Sequence, residues 1–426
     1  MNTYYIWTIG CQMNISDSRR LAESLEDMGY RRASRMEEAD VMVMNTCVVR
    51  QRAEDKVTGR LNSLKSVKKH RPETLLVLMG CFVGQQDEHR RVQEMYPFVD
   101  LFLGPSETDP LLDMLKHEIT PQDLQPVSPR IHTSPVCAYT TIIHGCNNFC
   151  SYCIVPYRRG PEISRPITKI VAEVKDLVTN GAREVTLLGQ NVDSYGQDLP
   201  DRPTLADLLE AVHDIENLWR IRFLTSHPKD MSPQLIQTAA RLPKVCEHIE
   251  LPFQAGDDDV LRDMNRHYTA AHCRTLIRHI REAMPVVGLA TDIIIGFPGE
   301  TTQQFDRTYA LLEELRFDTV HVASYSPRFG TAAAQWEDDV PSEEKERRRK
   351  AIETLQERIA SEINTQLLNQ TVEVLVETRH KGKWRGRTRT NKLVFFANQH
   401  DWKGKLAQVR VTWTGPWSMQ GTVEES

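Results

Sequence analysis

The sequence predicts a multidomain α/β protein: a small parallel α/β unit, then a partial (βα)6 barrel of the TIM type, then a small β-barrel. Three observations carry this. Apolar runs alternate with amphipathic helical stretches between residues 4 and 324. Period-two alternation takes over after residue 371. The 426 residues exceed what one core supports, since domains run to roughly 100–200 residues. A composition of 40% apolar and 26% charged residues is that of an ordinary globular chain and excludes disordered and fibrous classes.

In residues 1–117, apolar runs at 4–9, 41–45, 75–79 and 99–103 read as strands. The stretches at 16–28, 54–69, 85–96 and 108–117 read as the helices that follow them. Residues 118–139 hold Pro121, Pro126, Pro129 and Pro135, which lack backbone donors, and read as a linker. In residues 140–364, six apolar runs alternate with helical stretches, at 140–144, 184–188, 220–225, 248–253, 290–295 and 319–324, the pattern of a partial barrel. Leu355, Ile359, Ile363 and Leu367, spaced by four, mark one face of a charged helix that leads to the last unit. In residues 365–426, Val372, Val374 and Val376, and then Val409, Val411 and Trp413, alternate in period two. Gly382, Gly386 and Gly404 stand at turn positions, which predicts a small β-barrel.

No stretch approaches the roughly 20 apolar residues of a membrane span, and residues 1–7 lack the basic and apolar regions of a secretory leader. The expectation is a cytoplasmic, unprocessed monomer with no membrane partner. Nine cysteines, an odd number with three crowded together, fit reduced thiolates that bind metal better than a disulfide framework.

Those three, Cys146, Cys150 and Cys153, form a C-x3-C-x2-C run directly after an apolar strand. Soft thiolates this close favour an iron–sulfur cluster or zinc. Three ligands on a four-iron cluster leave one iron open to a cofactor or substrate. A zinc site would need a fourth ligand, for which His144 is near in sequence. Structural zinc more often shows paired C-x2-C halves, which favours iron.

Cys11, Cys47 and Cys81, 36 and 34 residues apart, each follow one of the first three strands. In a parallel sheet the carboxyl ends of strands share one edge, so thiols one βα unit apart converge there and offer a second three-thiolate site. Taken singly, each reads as a small core residue. Cys137, Cys246 and Cys273 show no such relation and read as structural.

With Tyr152 just before the third cysteine, the run at 146–153 resembles the radical S-adenosylmethionine superfamily. The resemblance implies that S-adenosylmethionine chelates the open iron and is cleaved by one electron to a 5′-deoxyadenosyl radical. Gly10-Cys11-Gln12-Met13-Asn14, Asn45-Thr46-Cys47, Met79-Gly80-Cys81, Gly189-Gln190-Asn191, Thr225-Ser226-His227-Pro228 and the run 292–301 resemble the methylthiotransferase family, over almost the whole chain. Asn147-Asn148-Phe149, Val155-Pro156-Tyr157 and Leu251-Pro252-Phe253-Gln254 are most similar to its branch acting on N6-dimethylallyladenosine in tRNA.

That resemblance implies sulfur insertion and methylation at carbon 2 of adenosine 37, in the anticodon stem-loop of tRNA. It implies two 4Fe–4S clusters, one on Cys146, Cys150 and Cys153 and an auxiliary one on Cys11, Cys47 and Cys81, with an external electron donor and sulfur source. Gln190, Asn191, Gln254 and Asp292 fall at carboxyl ends of barrel strands, where barrel enzymes build their sites, and with Tyr152 are the candidates for cofactor contact. Branches acting on threonylcarbamoyladenosine tRNA or on a ribosomal protein share most motifs. Ala255-Gly256-Asp257, Pro161 and the run 326–330 depart from the family pattern and bear on the branch.

The net charge of -5 hides an asymmetry, because residues 365–426 hold ten Lys or Arg against five Asp or Glu. Arg379, Lys381, Lys383, Arg385, Arg387 and Arg389 occupy alternate positions, one face of an extended strand, with Trp384 between them. Such a face would track phosphates, or would be a charged edge that blocks aggregation. The resemblance of this region to the TRAM-like barrel that ends methylthiotransferases favours RNA. The alternative of another class is a zinc and RNA-binding protein with no catalytic role.

Overall fold

The computed structural model describes residues 3–49, 51–84, 86–118 and 135–424. Its first unit contains β1 (Thr3–Thr8), α1 (Gln12–Asp27), β2 (Arg31–Arg32), β3 (Val41–Thr46), α2 (Gln51–His70), β4 (Leu75–Gly80), α3 (Gln86–Met95), β5 (Leu101–Leu103) and α4 (Asp109–Glu118). The strands form one parallel sheet in the order β2-β1-β3-β4-β5. Every residue of β3 is buried because helices cover both faces. Met42 and Met44 enter one core, Val41 and Val43 the other.

Helix α1 starts at Gln12, earlier than its apolar pattern suggests, because Cys11 takes the N-cap position with extended backbone. Strand β2 has no counterpart in the apolar pattern, because two exposed arginines carry no strand signal.

The second unit runs β6 (Cys137–Thr141), β7 (Ile143–His144), α5 (Val155–Arg159), β8 (Ile163–Ser164), α6 (Ile167–Thr179), β9 (Glu184–Leu188), α7 (Leu205–His213), β10 (Arg220–Phe223), α8 (Pro233–Arg241), β11 (His248–Glu250), α9 (Asp258–Asp263), α10 (Ala270–Ala283), β12 (Gly288–Ile295), α11 (Thr302–Leu315), β13 (Thr319–Ser324) and α12 (Ser342–Thr365). Parallel ladders β6-β9-β10 and β11-β12-β13 meet where the Ile221 N–H donates to Lys244 O at 2.7 Å. Among the described residues no ladder joins β13 back to β6, so the six-stranded barrel is open.

The expected linker, 118–139, overlaps the described elements at both of its ends. Glu118 still belongs to α4 and Cys137 already opens β6, while Pro121, Pro126 and Pro129 lie outside the described residues. In α12, Leu355 and Ile359 enter the barrel core, and Leu367 beyond it packs on the core of the last unit.

The last unit is a closed barrel of β14 (Thr371–His380), β15 (Lys383–Arg387), β16 (Leu393–Phe396), β17 (Leu406–Thr414) and β18 (Met419–Val423). The row of six cations does not share one strand. The chain turns at Lys381 (φ 48) and Gly382 (φ 82), pairing Arg379 with Trp384. Trp384 points into the core and donates its indole N–H to Asn398 O at 3.2 Å, so it is not an outward platform between the cations.

Residues 388–392, between β15 and β16, dock on the amino end of the open barrel. Arg222 donates to the carbonyls of Arg389 (2.7 Å) and Thr388 (2.8 Å), and Arg389 grips Glu247 through two hydrogen bonds of 2.7 and 2.8 Å. Arg389 is therefore an anchor between units.

Candidate functional site

Each cysteine trio opens at a glycine whose surroundings leave no room for a Cβ. Gly10, at φ +135, precedes Cys11, and a Cβ there would stand 2.7 Å from Cys47 Cβ and 2.8 Å from Asn14 Nδ2. Gly145, at φ +72, precedes Cys146, and a Cβ there would stand 1.9 Å from Pro161 O. Cys11, Cys47 and Cys81 follow β1, β3 and β4, three adjacent strands whose carboxyl ends share one edge. Asn14 ties this edge together: its amide donates to Ile9 O (3.0 Å) and Thr46 O (2.9 Å), and its oxygen lies 3.6 Å from Cys11 Sγ.

The second trio sits on the loop between β7 and α5. Cys146 N–H donates to Gly160 O, Ser151 N–H to Met264 O, and Asn265 donates to Phe149 O at 3.0 Å, so neighbouring loops pin the segment. Phe149 takes φ 46, a left-handed conformation that costs a non-glycine residue on the order of 1–3 kcal/mol and recurs at functional sites.

Burial raises the thiols: Cys47 and Cys146 to about 11 and Cys153 to about 12. For Cys47 the neighbouring Cys81 and Cys11 add to the rise. Burial also raises Cys81, and metal binding would displace the protons that these buried thiols hold. Among the described residues no three Cys, His, Asp or Glu side chains already form a metal cage; the backbone gathers the thiols and metal binding would complete their convergence.

A buried arginine accompanies each trio. Arg266 donates to Cys150 Sγ at 3.4 Å, and Arg159 donates to Asn14 Oδ1 at 2.9 Å while facing the Cys81 thiol. Soft donors in threes with cations to balance thiolates fit anionic iron–sulfur clusters. Burial lowers His144 to about 4, and the charged groups that act on it most are Asp17, Arg20, Arg159 and Arg165.

Residues 3–104 match a family described as uncharacterized protein family UPF0004, residues 140–312 the radical SAM superfamily, and residues 366–423 the TRAM domain. The tRNA-2-methylthio-N(6)-dimethylallyladenosine synthase of Roseiflexus sp. (strain RS-1) is 51% identical over 429 residues, covering 99% of this chain and 90% of that relative. The chain belongs to this synthase family. A synthase of the same description from Herpetosiphon aurantiacus is 50% identical, covering 99% of this chain and 97% of the relative.

Among solved structures, the radical S-adenosylmethionine methyltransferase TsrM of Kitasatospora setae superposes with a TM-score of 0.56 at 13% identity, covering 90% of this chain and 81% of TsrM. That likeness is one of fold. As a member of the synthase family the protein is a radical S-adenosylmethionine enzyme, with S-adenosylmethionine and 4Fe–4S clusters as its cofactors.

Of the sequence-derived cofactor candidates of this synthase family member, Tyr152, Gln190, Asn191 and Gln254 lie in loops that follow barrel strands, whereas Asp292 lies within β12, three residues before its carboxyl end, because the strand continues to Ile295. Gln190 and Asn191 follow β9; Gln190 Oε1 and Asn191 Oδ1 are buried acceptors with no hydrogen-bond partner, while the Asn191 amide donates to Asp230 at 2.7 Å. Gln254 (φ 70) follows β11, and its N–H donates to the carbonyl of Asp292 in β12. Tyr152 packs beside the core of Phe297 and Tyr325. Orphaned acceptors at this rim suit the ammonium donors of an amino-acid cofactor. Asp257, a departure in the sequence, is accounted for structurally: its carboxylate caps α9 by accepting from Asp259 and Val260 N–H groups, both at 3.1 Å.

Arg159, Arg266 and Glu250 carry no signal in the sequence pattern. Glu250, on β11, faces a cavity of about 370 Å3 lined also by Gln12, His248, His321 and Asn391. Burial, and then the charge of Asp292, raise its carboxyl from 4.5 to about 7. Folding therefore favours the protonated form, so this group's stabilisation is full below pH 4.5 and is lost as pH rises through about 7. Glu250→Gln is expected to flatten the fall in melting temperature across that window, and thermal melts at stepped pH that decline in parallel with wild type would refute it.

Proposed function

We propose that this chain inserts sulfur and a methyl group at carbon 2 of N6-dimethylallyladenosine 37 of tRNA. The observation that carries the reading is the pair of cysteine trios, one on the carboxyl edge of each parallel unit, in a chain that belongs to the synthase family. In this reading Cys146, Cys150 and Cys153 hold the cluster that binds S-adenosylmethionine, and Cys11, Cys47 and Cys81 hold the auxiliary one. When bound, these groups supply a 5′-deoxyadenosyl radical and the sulfur. Tyr152, Gln190, Asn191, Gln254 and Asp292 orient the cofactor, and the barrel walls exclude water. The enzyme works as a cytoplasmic monomer with an external electron donor and sulfur source; among the described residues no helix is long and apolar enough to cross a membrane.

The anticodon stem-loop is held by the outer face of the C-terminal barrel. Arg379, Lys381 and Lys383 are exposed around one hairpin tip, whereas Arg385 and Arg387 lie near Glu377, each at 3.4 Å, and are partly neutralised. Neutralising Lys381 and Lys383 together is expected to weaken tRNA binding. The slope of log affinity against log salt should flatten by about 0.7–0.9 for each phosphate the protein no longer neutralises. An unchanged slope in filter binding would place the phosphate-binding face elsewhere.

The test of the whole reading is mass spectrometry of nucleosides from dimethylallyl-modified tRNA, incubated anaerobically with the reconstituted protein, S-adenosylmethionine, reductant and sulfide. A methylthio product at adenosine 37 is expected. Formation of 5′-deoxyadenosine without that product would overturn the branch, and a colourless zinc-containing protein would overturn the chemistry.

A further inference from the structure

The segment that follows the second trio is short and wedged between the first two units. Helix α5 (Val155–Arg159) begins two residues after Cys153, and three side chains of residues 154–159 engage the first unit. Ile154 joins the core formed by Met42, Met44 and Leu78. Arg158 pairs with Glu88 at 3.1 Å. Arg159, 8% exposed, reaches the auxiliary edge, where its Nη2 donates to Asn14 Oδ1 at 2.9 Å and its guanidinium faces the Cys81 thiol. Its second terminal nitrogen, Nη1, is buried with no hydrogen-bond partner. This buried cation is set against three thiols, with the Asp17 carboxylate already acting on it, and anionic charge developing on those thiols would compensate it further.

We propose that Arg159 is a positioning residue for the auxiliary centre. It balances the negative charge on the Cys11, Cys47 and Cys81 thiolates and, through α5, holds that centre in a fixed relation to Cys146, Cys150 and Cys153. The inference rests on the reading that the first trio holds a cluster. Arg159 belongs to the radical unit but spends its charge on the other one, so the relation between radical source and sulfur source is built into six residues of chain. A nearby cation favours the more negatively charged, reduced form of a cluster, which raises its potential.

The test compares Arg159→Gln, Arg159→Lys and the control Arg158→Gln in the full-length reconstituted protein, by iron analysis and redox titration followed by electron paramagnetic resonance. For Arg159→Gln the reduction equilibrium of the auxiliary centre is expected to move about tenfold toward the oxidised form, equivalent to about 59 mV, while the radical centre stays unmoved. 5′-Deoxyadenosine formation is expected to persist while methylthio product falls at least about tenfold. Arg159→Lys should recover the potential but only part of the product, because it keeps the charge and loses the fork that reaches Asn14. Arg158→Gln should leave both potentials in place.

Unmoved potentials with wild-type product in Arg159→Gln would overturn the inference. If Arg159→Gln fails to fold, the lysine variant decides: wild-type product from it would show that the fork has no positioning role. A wild-type protein that binds only one cluster would overturn the reading of the first trio instead, and iron content separates that failure from the other.

Discussion

Replacing any one of Cys146, Cys150 or Cys153 by Ala is expected to abolish 5′-deoxyadenosine formation, a loss of at least ~10^6-fold, the low end of enzymic acceleration. The loop that carries them is fixed by backbone hydrogen bonds to Gly160 and Met264, which every one of these substitutions keeps although Cys150→Ala also removes the bond from Arg266, so the fold survives and the loss is one of chemistry. Substituting Cys11, Cys47 or Cys81 is expected to spare that cleavage and stop only the sulfur insertion, because these thiols belong to another sheet. Chromatographic assay of 5′-deoxyadenosine beside nucleoside mass spectrometry reads both. Cleavage at the wild-type rate in the first set would remove the assignment, and loss of cleavage in the second would show the two centres to be one functional unit.

The separation of the trios was legible in the sequence because backbone topology decides it. Spacings of 36 and 34 residues are one βα unit each, and parallel units in order along a chain bring their strand ends to one edge. The strands at 184–188 and 319–324 were legible for a similar reason, since their apolar runs are bounded by helices on both sides. Arg159 was not legible. An arginine next to Arg158 and Gly160 reads as surface charge, and only the packing of α5 against the first sheet takes both from solvent, turning Arg158 to Glu88 and Arg159 to Asn14.

The six alternating cations misled for a related reason. Alternation predicts one face only where the strand continues, and Lys381-Gly382 supplies a turn that the positive residues masked. What the turn achieves is a division of labour: the tip keeps exposed charge, while the far end of the row, at Arg389, is drawn into Glu247 and the floor of the barrel.

That floor carries the other large expected effect. Arg222, 3% exposed, donates to Glu184 Oε1 at 3.0 Å and to the carbonyls of Thr388 and Arg389, and Glu184 is itself buried. Arg222→Met removes one partner of a buried pair and leaves a carboxylate and two carbonyls unpaired, which costs about 3–5 kcal/mol. Arg220 stands 3.9 Å from Glu184 and compensates only in part. Against a total stability of about 5–15 kcal/mol for a domain, that loss is expected to release the C-terminal barrel before the rest unfolds. Limited proteolysis should then cut near residues 366–370, where α12 meets β14.

The double variant Arg222→Met with Glu184→Gln should recover much of the loss, because it no longer buries an unpaired charge. Since residues 388–392 dock on the amino end of the barrel, the single variant should also form more 5′-deoxyadenosine per methylthio product, because a loosened barrel holds the base less firmly within reach of the radical, which then takes its hydrogen atom from another C–H donor. Melting and proteolysis indistinguishable from wild type would show that the C-terminal barrel is held by its remaining contacts, with Arg220 and Lys392 sufficient to keep the floor closed.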